Sequence, residues 1–292
     1  MHYALVVNPA SGKRRGEAIA AQAAERLGHA GHVTTRIQGQ DAPTARDQLK
    51  QAIDTGLDGV VVVGGDGALH GVLDHVADTD LAFGLIPAGT GNDTARSLGI
   101  PVKDVDAAVD VIVAGHVRTI DLARTGESYV ATVIASGFDS KVNERANAMT
   151  WPRGNMRYNI AILAELREFE PLAFTLTLDG RTIEREAMLV AVGNGPSFGG
   201  GLRICEGASM DDGLLDVVVI NPVSKGKLVR VFPKLYKGTH VTMPEFERHL
   251  VREVTLSSPG IVAYGDGERL GPLPMTTTVE PGALRVFAPP VP

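Results

Sequence analysis

Asp66 stands within Gly64-Gly65-Asp66-Gly67, directly after the apolar run Gly59 to Val63. Two further segments of similar make-up also follow apolar runs. Asn8-Pro9-Ala10-Ser11-Gly12-Lys13 comes after Tyr3 to Val7, and Pro87-Ala88-Gly89-Thr90-Gly91-Asn92-Asp93 after Leu81 to Ile86. Glycines lack side chains, so backbone N–H groups there can approach phosphate oxygens closely, and a helix N-terminus adds partial positive charge. An acid in such a loop repels phosphate unless a divalent cation or a proton transfer uses its charge. A tight turn explains one loop of this kind, and an Asx-turn capping the following helix explains Asp66. Three loops at one edge of one sheet favour phosphate binding beside an ionisable acid. Neither the Walker pattern nor G-x-G-x-x-G is present: counted from Gly65 and Gly67, the third glycine falls at Gly71, one position late.

The elements that must hold these loops alternate in type. Gly16 to Leu27 has helical spacing and Val33 to Ile37 is a weak strand. Thr44 to Ile53 is a helix with Thr44 as N-cap, and Gly59 to Val63 is a strand buried on both faces. Leu69 to Val76 is a helix, Leu81 to Ile86 a strand, Thr94 to Leu98 and Val105 to Val113 helices, and Val117 to Leu122 a strand. This rhythm implies a mostly parallel sheet flanked by helices, with ligands beyond the carboxyl ends of its strands. After about residue 124 strands follow one another: Tyr129 to Ile134, Leu172 to Leu178, Ala187 to Val192, Leu215 to Ile220, Val251 to Leu256 and Leu284 to Phe287. Only Met156 to Glu168 and Lys225 to Tyr236 have clear helical spacing there. The expected fold class is an α/β N-terminal domain with a mostly parallel sheet, residues 1–124, plus a C-terminal β-sandwich domain, residues 125–283.

Composition narrows the function classes. With 44% hydrophobic and 21% charged residues over 292 positions, the chain is too apolar for disorder and long enough for about two domains. Glycine is 34 of 292, about 12%, against a background of roughly 7%. The single Cys205 cannot form an intrachain disulfide and fits a reducing, cytoplasmic compartment. Met1 to Pro9 lacks the basic start of a signal peptide, and no uncharged apolar stretch approaches the ~20 residues of a spanning helix. The expectation is a chain without a transmembrane segment, peripheral at most. A net charge of -6 argues against a general nucleic-acid binder.

Asn8 to Gly12, Gly64 to Gly67 and Pro87 to Asp93 together resemble the diacylglycerol kinase catalytic domain family of lipid kinases. That family includes bacterial soluble diacylglycerol kinases, phosphatidylglycerol kinase-like proteins, and sphingosine and ceramide kinases. The similarity continues through Gly137-Phe138-Asp139, Gly193-Asn194-Gly195 with Gly199-Gly200-Gly201, Asp211 to Asp216, and Asp266-Gly267-Glu268, nearly the whole chain in order. The resemblance implies an ATP-binding α/β domain related to NAD kinases, a β-rich lipid-substrate domain and a catalytic cleft between them. It also implies that the tail, about 284–292, returns to the first domain. Carried over by position, Asn8, Ser11, Gly64, Gly65, Asp66, Gly67 and Thr90 would hold the nucleotide. Asp66, Asp266 and Glu268 would be the catalytic carboxylates, one taking the proton from a lipid hydroxyl and another helping to hold ATP-bound Mg²⁺. The family also places a structural Mg²⁺ at Asp212 with the carbonyls of Ser209 and Leu214, an oxygen-only set suited to a hard cation. From the residues alone, a β-turn before Leu215 and a surface turn at Asp266-Gly267-Glu268 stay open.

Ala68 replaces the threonine that members usually carry after Gly-Gly-Asp-Gly, and His70-Gly71 stands where bacterial members have Asn-Glu. His70 is similar to the sphingosine kinase branch, yet Lys141 occupies the place of the acid that branch uses for the lipid amine, so the acceptor stays open. A core or capping role is the plainer one for His70. Gly195-Pro196-Ser197-Phe198-Gly199 matches the G-x-S-x-G elbow of hydrolases, but Gly199-Gly200-Gly201 is a poor helix start. The remaining rivals are a kinase of a soluble substrate, NAD kinase-like, and a non-catalytic ATP- or lipid-binding protein. Lys227, Arg230, Lys234 and Lys237 share one helical face, with Pro233 expected to break or kink the helix, and could rest on an anionic membrane surface or simply be solvated. A homodimer is compatible with the chain.

Overall fold

The structure, a computed structural model, describes residues 1–7, 16–39, 42–149, 151, 160, 164 and 170–290. In chain order the first half runs β1 (His2–Val7), α1 (Gly16–His29), β2 (Val33–Ile37), α2 (Ala42–Asp54), β3 (Gly59–Gly64), α3 (Asp66–Val76), β4 (Ala82–Pro87), α4 (Asp93–Ser97), α5 (Val105–Val113) and β5 (Val117–Thr125). Unbroken apolar runs suit strands covered on both faces, and β3 and β4 are buried at every position. One face packs Val60, Val62 and Phe83 against Leu69 and Leu73 of α3, and the other packs Val61 and Val63 against Ala20 and Leu27 of α1.

The second half runs β6 (Ser128–Val130), β7 (Val133–Gly137), α6 (Phe138–Ala148), β8 (Leu172–Leu178), β9 (Arg181–Ala187), β10 (Leu189–Gly193), β11 (Leu215–Ile220), α7 (Lys225–Leu235), β12 (Phe246–Val251), β13 (Glu253–Ser257), β14 (Val262–Gly265), β15 (Glu268–Pro272) and β16 (Met275–Phe287). A ten-stranded sheet has the order β2-β1-β3-β4-β16-β13-β8-β9, with β5 pairing β16 and β6. Its first four strands are parallel. A six-stranded antiparallel sheet, β12-β11-β10-β7-β14-β15, packs on the other half of the large sheet. Phe174, Leu176 and Val254 from one sheet and Val190, Val192, Val217 and Val219 from the other form that sandwich core. The long β16 belongs to both halves: Arg285 and Val286 pair in parallel with Ala82 and Phe83, while Met275 to Thr278 pair with β13.

Several sequence expectations are corrected here. Tyr129 to Ile134 is not one strand: β6 lies in the large sheet and β7 in the small one. Val251 to Leu256 divides likewise into the end of β12 and β13. Each segment passes from one sheet to the other, and residue pattern does not register a change of sheet. Thr44 is not an N-cap, because α2 begins two residues earlier with Pro43 in its first turn, where a missing N–H is harmless. The helix α6 and the strands β9, β14 and β15 were not foreseen. β9 carries outward Arg and Glu on a sheet edge, which hides its strand character. Pro233 neither breaks α7 early nor lies outside it, but occupies its last turn. The expected helix Met156 to Glu168 lies outside the described residues apart from 160 and 164.

Candidate active site

Two loops meet where β3 and β4 end. Gly65 is the N-cap of α3 and makes no side-chain cap bond, so Asp66 begins the helix instead of capping it. A Cβ on Gly65 would lie 2.9 Å from the Gly89 Cα, and one on Gly89 would lie 2.5 Å from the Gly65 Cα, so only glycines let the two backbones touch. Asn92, at φ 54°, closes the second loop: its Nδ2 donates to Gly89 O at 2.9 Å and its Oδ1 accepts from Gly89 N at 3.0 Å. The start of α4 then points at Asp66. Asp93 N donates to Asp66 Oδ2 at 3.1 Å, and Thr94 N and Oγ1 donate to Oδ1 at 3.1 and 3.3 Å.

The C-terminal half brings two more acids to this point from the turn joining β14 and β15. Asp266 is buried, with φ 51°, and is held by three donors: Ala131 N to Oδ2 at 2.7 Å, Thr132 N to Oδ1 at 2.9 Å and Thr132 Oγ1 to Oδ1 at 2.6 Å. Burial pushes its carboxyl up to about 6; the Thr132 and Ala131 bonds pull down, the Asp66 charge pushes up, and His70 pulls down. Glu268 is exposed and reaches across, since a Cβ on Gly67 would sit 2.6 Å from its Oε1. His70 lies one turn beyond Asp66 on α3, half-buried, with Nδ1 enclosed and lacking a partner among the described residues.

Asp93 joins the halves. Its buried carboxylate accepts Gly200 N at 2.7 Å, Gly201 N at 2.7 Å and Ser197 Oγ at 3.2 Å. Burial raises its carboxyl, aided by the Asp66 charge and opposed by the Gly200 bond. Ser197 is therefore a buried donor, followed by Gly199, Gly200 and Gly201 at positive φ instead of a helix, and the hydrolase elbow is excluded. Asp121 makes a second tie: Gly213 N donates to Oδ2 at 2.7 Å and Gly282 N to Oδ1 at 2.8 Å. Asn194 Nδ2 donates to the carbonyls of Asp121 and Ala131 at 2.8 and 2.9 Å. Sequence reading gave Asp93, Asp121 and Thr132 no role. The one available signal was Asp121, an acid inside the apolar run Val117 to Leu122.

Of the expected site residues, Asp66, Gly64, Gly65, Gly67, Asp266 and Glu268 converge on the first turn of α3, and Thr90 is exposed between Gly89 and Gly91 beside them. Asn8 and Ser11 lie outside the described residues. Asp212 stands apart, exposed, its Oδ1 accepting Leu214 N at 3.0 Å, while Ser209 Oγ donates to Asp211 at 2.6 Å. The 209–214 turn thus offers carboxylates, a hydroxyl and carbonyls, a donor set that fits a hard cation. Among the described residues no group of three His, Cys, Asp or Glu side chains is arranged to hold a metal ion.

Residues 2–125 match the family model described as the diacylglycerol kinase catalytic domain. Residues 132–288 match the one described as a YegS C-terminal NAD kinase beta sandwich-like domain. A Mycobacterium tuberculosis protein named diacylglycerol kinase is 45% identical over 290 residues, 97% of this chain and 94% of its own. A Bacillus subtilis protein of the same name is 26% identical over 250 residues, 85% of this chain and 81% of its own. The fold matches the crystal structure of a diacylglycerol kinase of Bacillus anthracis with a TM-score of 0.73 at 21% identity, covering 99% of this chain and 97% of that one. It also matches an NAD kinase of Archaeoglobus fulgidus solved with ATP, with a TM-score of 0.55 at 11% identity, covering 98% and 93%. At those identities the two structures speak for the fold alone.

Proposed function

The chain belongs to the diacylglycerol kinase catalytic domain family and is a phosphotransferase with an alcohol acceptor; we propose that it uses ATP with Mg²⁺ to phosphorylate the primary hydroxyl of a lipid such as diacylglycerol. The observation that carries this reading is the meeting of Asp66, Asp266 and Glu268, from both halves, at the glycine-lined start of α3. On this reading residues 1–124 with the tail 284–292 form the nucleotide domain, and 125–283 form the acceptor domain.

The three acids differ in what they can still do. Asp66 and Asp266 each already accept three hydrogen bonds, whereas Glu268 is exposed and accepts none among the described residues. A general base must be free to approach the hydroxyl it deprotonates. Glu268, exposed with both oxygens uncommitted among the described residues, is the freest of the three to take the proton. Asp66 keeps one lone-pair site for a cation. Gly64 to Gly67 and Thr90, with Asn8 and Ser11 of the first loop, hold the phosphates through backbone and hydroxyl donors. Bound Mg²⁺ would neutralise charge on the transferring group, and Asp66, negative and fixed beside the cradle, is the carboxylate that would help hold it. A second Mg²⁺ at Asp212 with the Ser209 and Leu214 carbonyls would brace the 209–214 turn.

A lipid acceptor requires contact with a membrane surface. Among the described residues no helix is long and apolar enough to cross one. On α7 Lys227 is committed to Glu245, whereas Arg230 and Lys234 are exposed with no acid within 4.0 Å among the described residues. Each cation near an anionic bilayer contributes about 1 kcal/mol. Arg230→Glu combined with Lys234→Glu should weaken sedimentation with anionic vesicles; unchanged binding removes α7 from the docking surface. The activity itself is tested with radiolabelled ATP across diacylglycerol, other neutral and acidic lipids, and NAD, with product mass determined. Phosphorylation of NAD alone would favour a soluble acceptor, and no ATP consumption with any acceptor would sink the reading.

A further inference from the structure

We propose that Arg96 grips the terminal phosphate of the nucleotide, a role that rests on the phosphotransfer reading above. Arg96 lies on α4, three residues beyond Asp93, and its Nε donates to Gly91 O at 3.1 Å. A Cβ on Gly201 would lie 3.9 Å from the Arg96 Nε and 4.0 Å from its Cδ, and one on Gly200 would lie 3.9 Å from the Gly91 Cα. The side chain therefore runs along the seam where the glycine segments of the two halves touch. That seam borders the transfer point, because a Cβ on Gly91 would stand 2.8 Å from Asp66 Oδ2.

Among the described residues its charge has no acidic partner within 4.0 Å. Arg46, Arg181, Arg230 and Arg252 are unpaired like Arg96 among the described residues, but none of them lies within 4 Å of a Cβ on Gly201. Arg26, Arg36, Arg118, Arg185, Arg203, Arg248 and Arg269 pair with carboxylates. Among the described residues Arg96 pairs with none, although it is exposed in a chain of net charge -6. With Nε tied to a loop carbonyl, the planar fork is oriented, and among the described residues its four terminal N–H groups meet no acceptor. A fixed guanidinium with open donors matches phosphate oxygens in geometry and charge. The surroundings need such a cation: Asp66, Asp93, Asp266 and Glu268 gather here, and Ala68 removes a hydroxyl donor from the cradle. Gly91 joins Arg96 to Asp66, so the phosphate within reach of the fork is the one that leaves during transfer. Stabilising charge on that group is where phosphotransfer enzymes gain most.

Calorimetric titration of the whole protein with ADP and with a non-hydrolysable ATP analogue tests this, on wild type, Arg96→Gln and Arg96→Lys. Arg96→Gln should weaken the triphosphate about 10–100-fold, the worth of one charge-assisted contact, and leave ADP within about twofold. Arg96→Lys should recover part of the loss, because a point charge remains without the fork. Thermal melting of each variant confirms folding. If wild type binds both nucleotides but Arg96→Gln weakens both equally, or neither, Arg96 does not hold the terminal phosphate. If wild type binds neither nucleotide, the phosphotransfer reading and this role fall together.

Discussion

Asp66 and Asp266 are held by the same device. In each case two consecutive residues donate their backbone N–H groups, one to each carboxylate oxygen, and the second of the two is a threonine whose hydroxyl adds a third bond. The difference lies in where the donors come from. For Asp66 they are 27 and 28 positions away in the same half, and the acid is only half-buried at a helix start. For Asp266 they are 135 and 134 positions away, and the acid is buried in a left-handed turn. The first arrangement leaves a charged group at an open glycine-lined helix start, the proposed phosphate cradle. The second turns the acid into a strut that fixes the turn presenting Glu268. One hydrogen-bonding motif thus serves two tasks, and solvent access decides which.

The largest effects should separate those tasks. Asp66→Asn should remove turnover with the fold intact, and Glu268→Gln should lower kcat about 10²–10⁴-fold, the range of a positioned base. Glu268→Gln leaves the thermal midpoint nearly unchanged because that side chain is exposed. Asp66→Asn sets an amide against the Asp93 and Thr94 donors and should lower it, though by less than Asp266→Asn because Asp66 is only half-buried. Asp266→Asn should lose activity and about 1–3 kcal/mol of stability, since an amide there sets donors against the Ala131 and Thr132 donors. Steady-state kinetics with melting curves read both quantities. Near-normal turnover in Asp66→Asn or Glu268→Gln removes that acid from the mechanism, and an undiminished melting point in Asp266→Asn removes the strut.

A smaller effect contrasts two glycines of the same cradle. Gly89→Ala must push its Cβ into the Gly65 backbone, which cannot give way, and should destabilise by about 1–3 kcal/mol. Gly67→Ala meets only the end of the flexible Glu268 side chain. That variant should melt no lower than wild type, since alanine favours the helix by up to about 1 kcal/mol, yet it should lose activity as Glu268 is displaced. Equal melting points for the two variants would show that the loops do not meet at Gly89.

What was legible in the sequence follows the same divide. The loops after β3 and β4 could be placed because strand, loop and helix succeed one another along the chain, and the glycines and Asp66 are read in one span. The family resemblance, not spacing, brought in Asp266 and Glu268. The donors to Asp266 sit in the crossing between β6 and β7, a stretch whose apolar residues look like one unbroken strand. Asp93 and Ser197 escaped for a related reason: their bond spans 104 positions and joins two loops that each look self-contained. Local pattern reports a loop's shape, while partners across a cleft leave no mark on either segment.

The subtlest test of the comparison is pH. Asp266 titrates at about 6 in the folded protein, against an ordinary aspartate value near 3.9. Between those values the native state binds more protons than the unfolded chain. The stability this group contributes is therefore full below about pH 4 and is lost as pH rises through about 6. Activity should run the other way, because a protonated Asp266 has one oxygen fewer to accept from Ala131 and Thr132, which loosens the turn that presents Glu268. Below pH 6 the resulting fall in kcat/KM approaches about tenfold per unit. The buried His240, whose pKa is lowered by burial, contributes stability that is lost as pH falls below the ordinary histidine value near 6.5, so the quantity to measure is the difference in melting point between wild type and Asp266→Asn across pH 4 to 8. That difference should shrink as pH rises, and a flat difference would mean that Asp266 titrates normally. His70 sharpens the result: its positive form pulls the Asp266 carboxyl down, so His70→Asn should move the acid limb of the kcat/KM profile to higher pH.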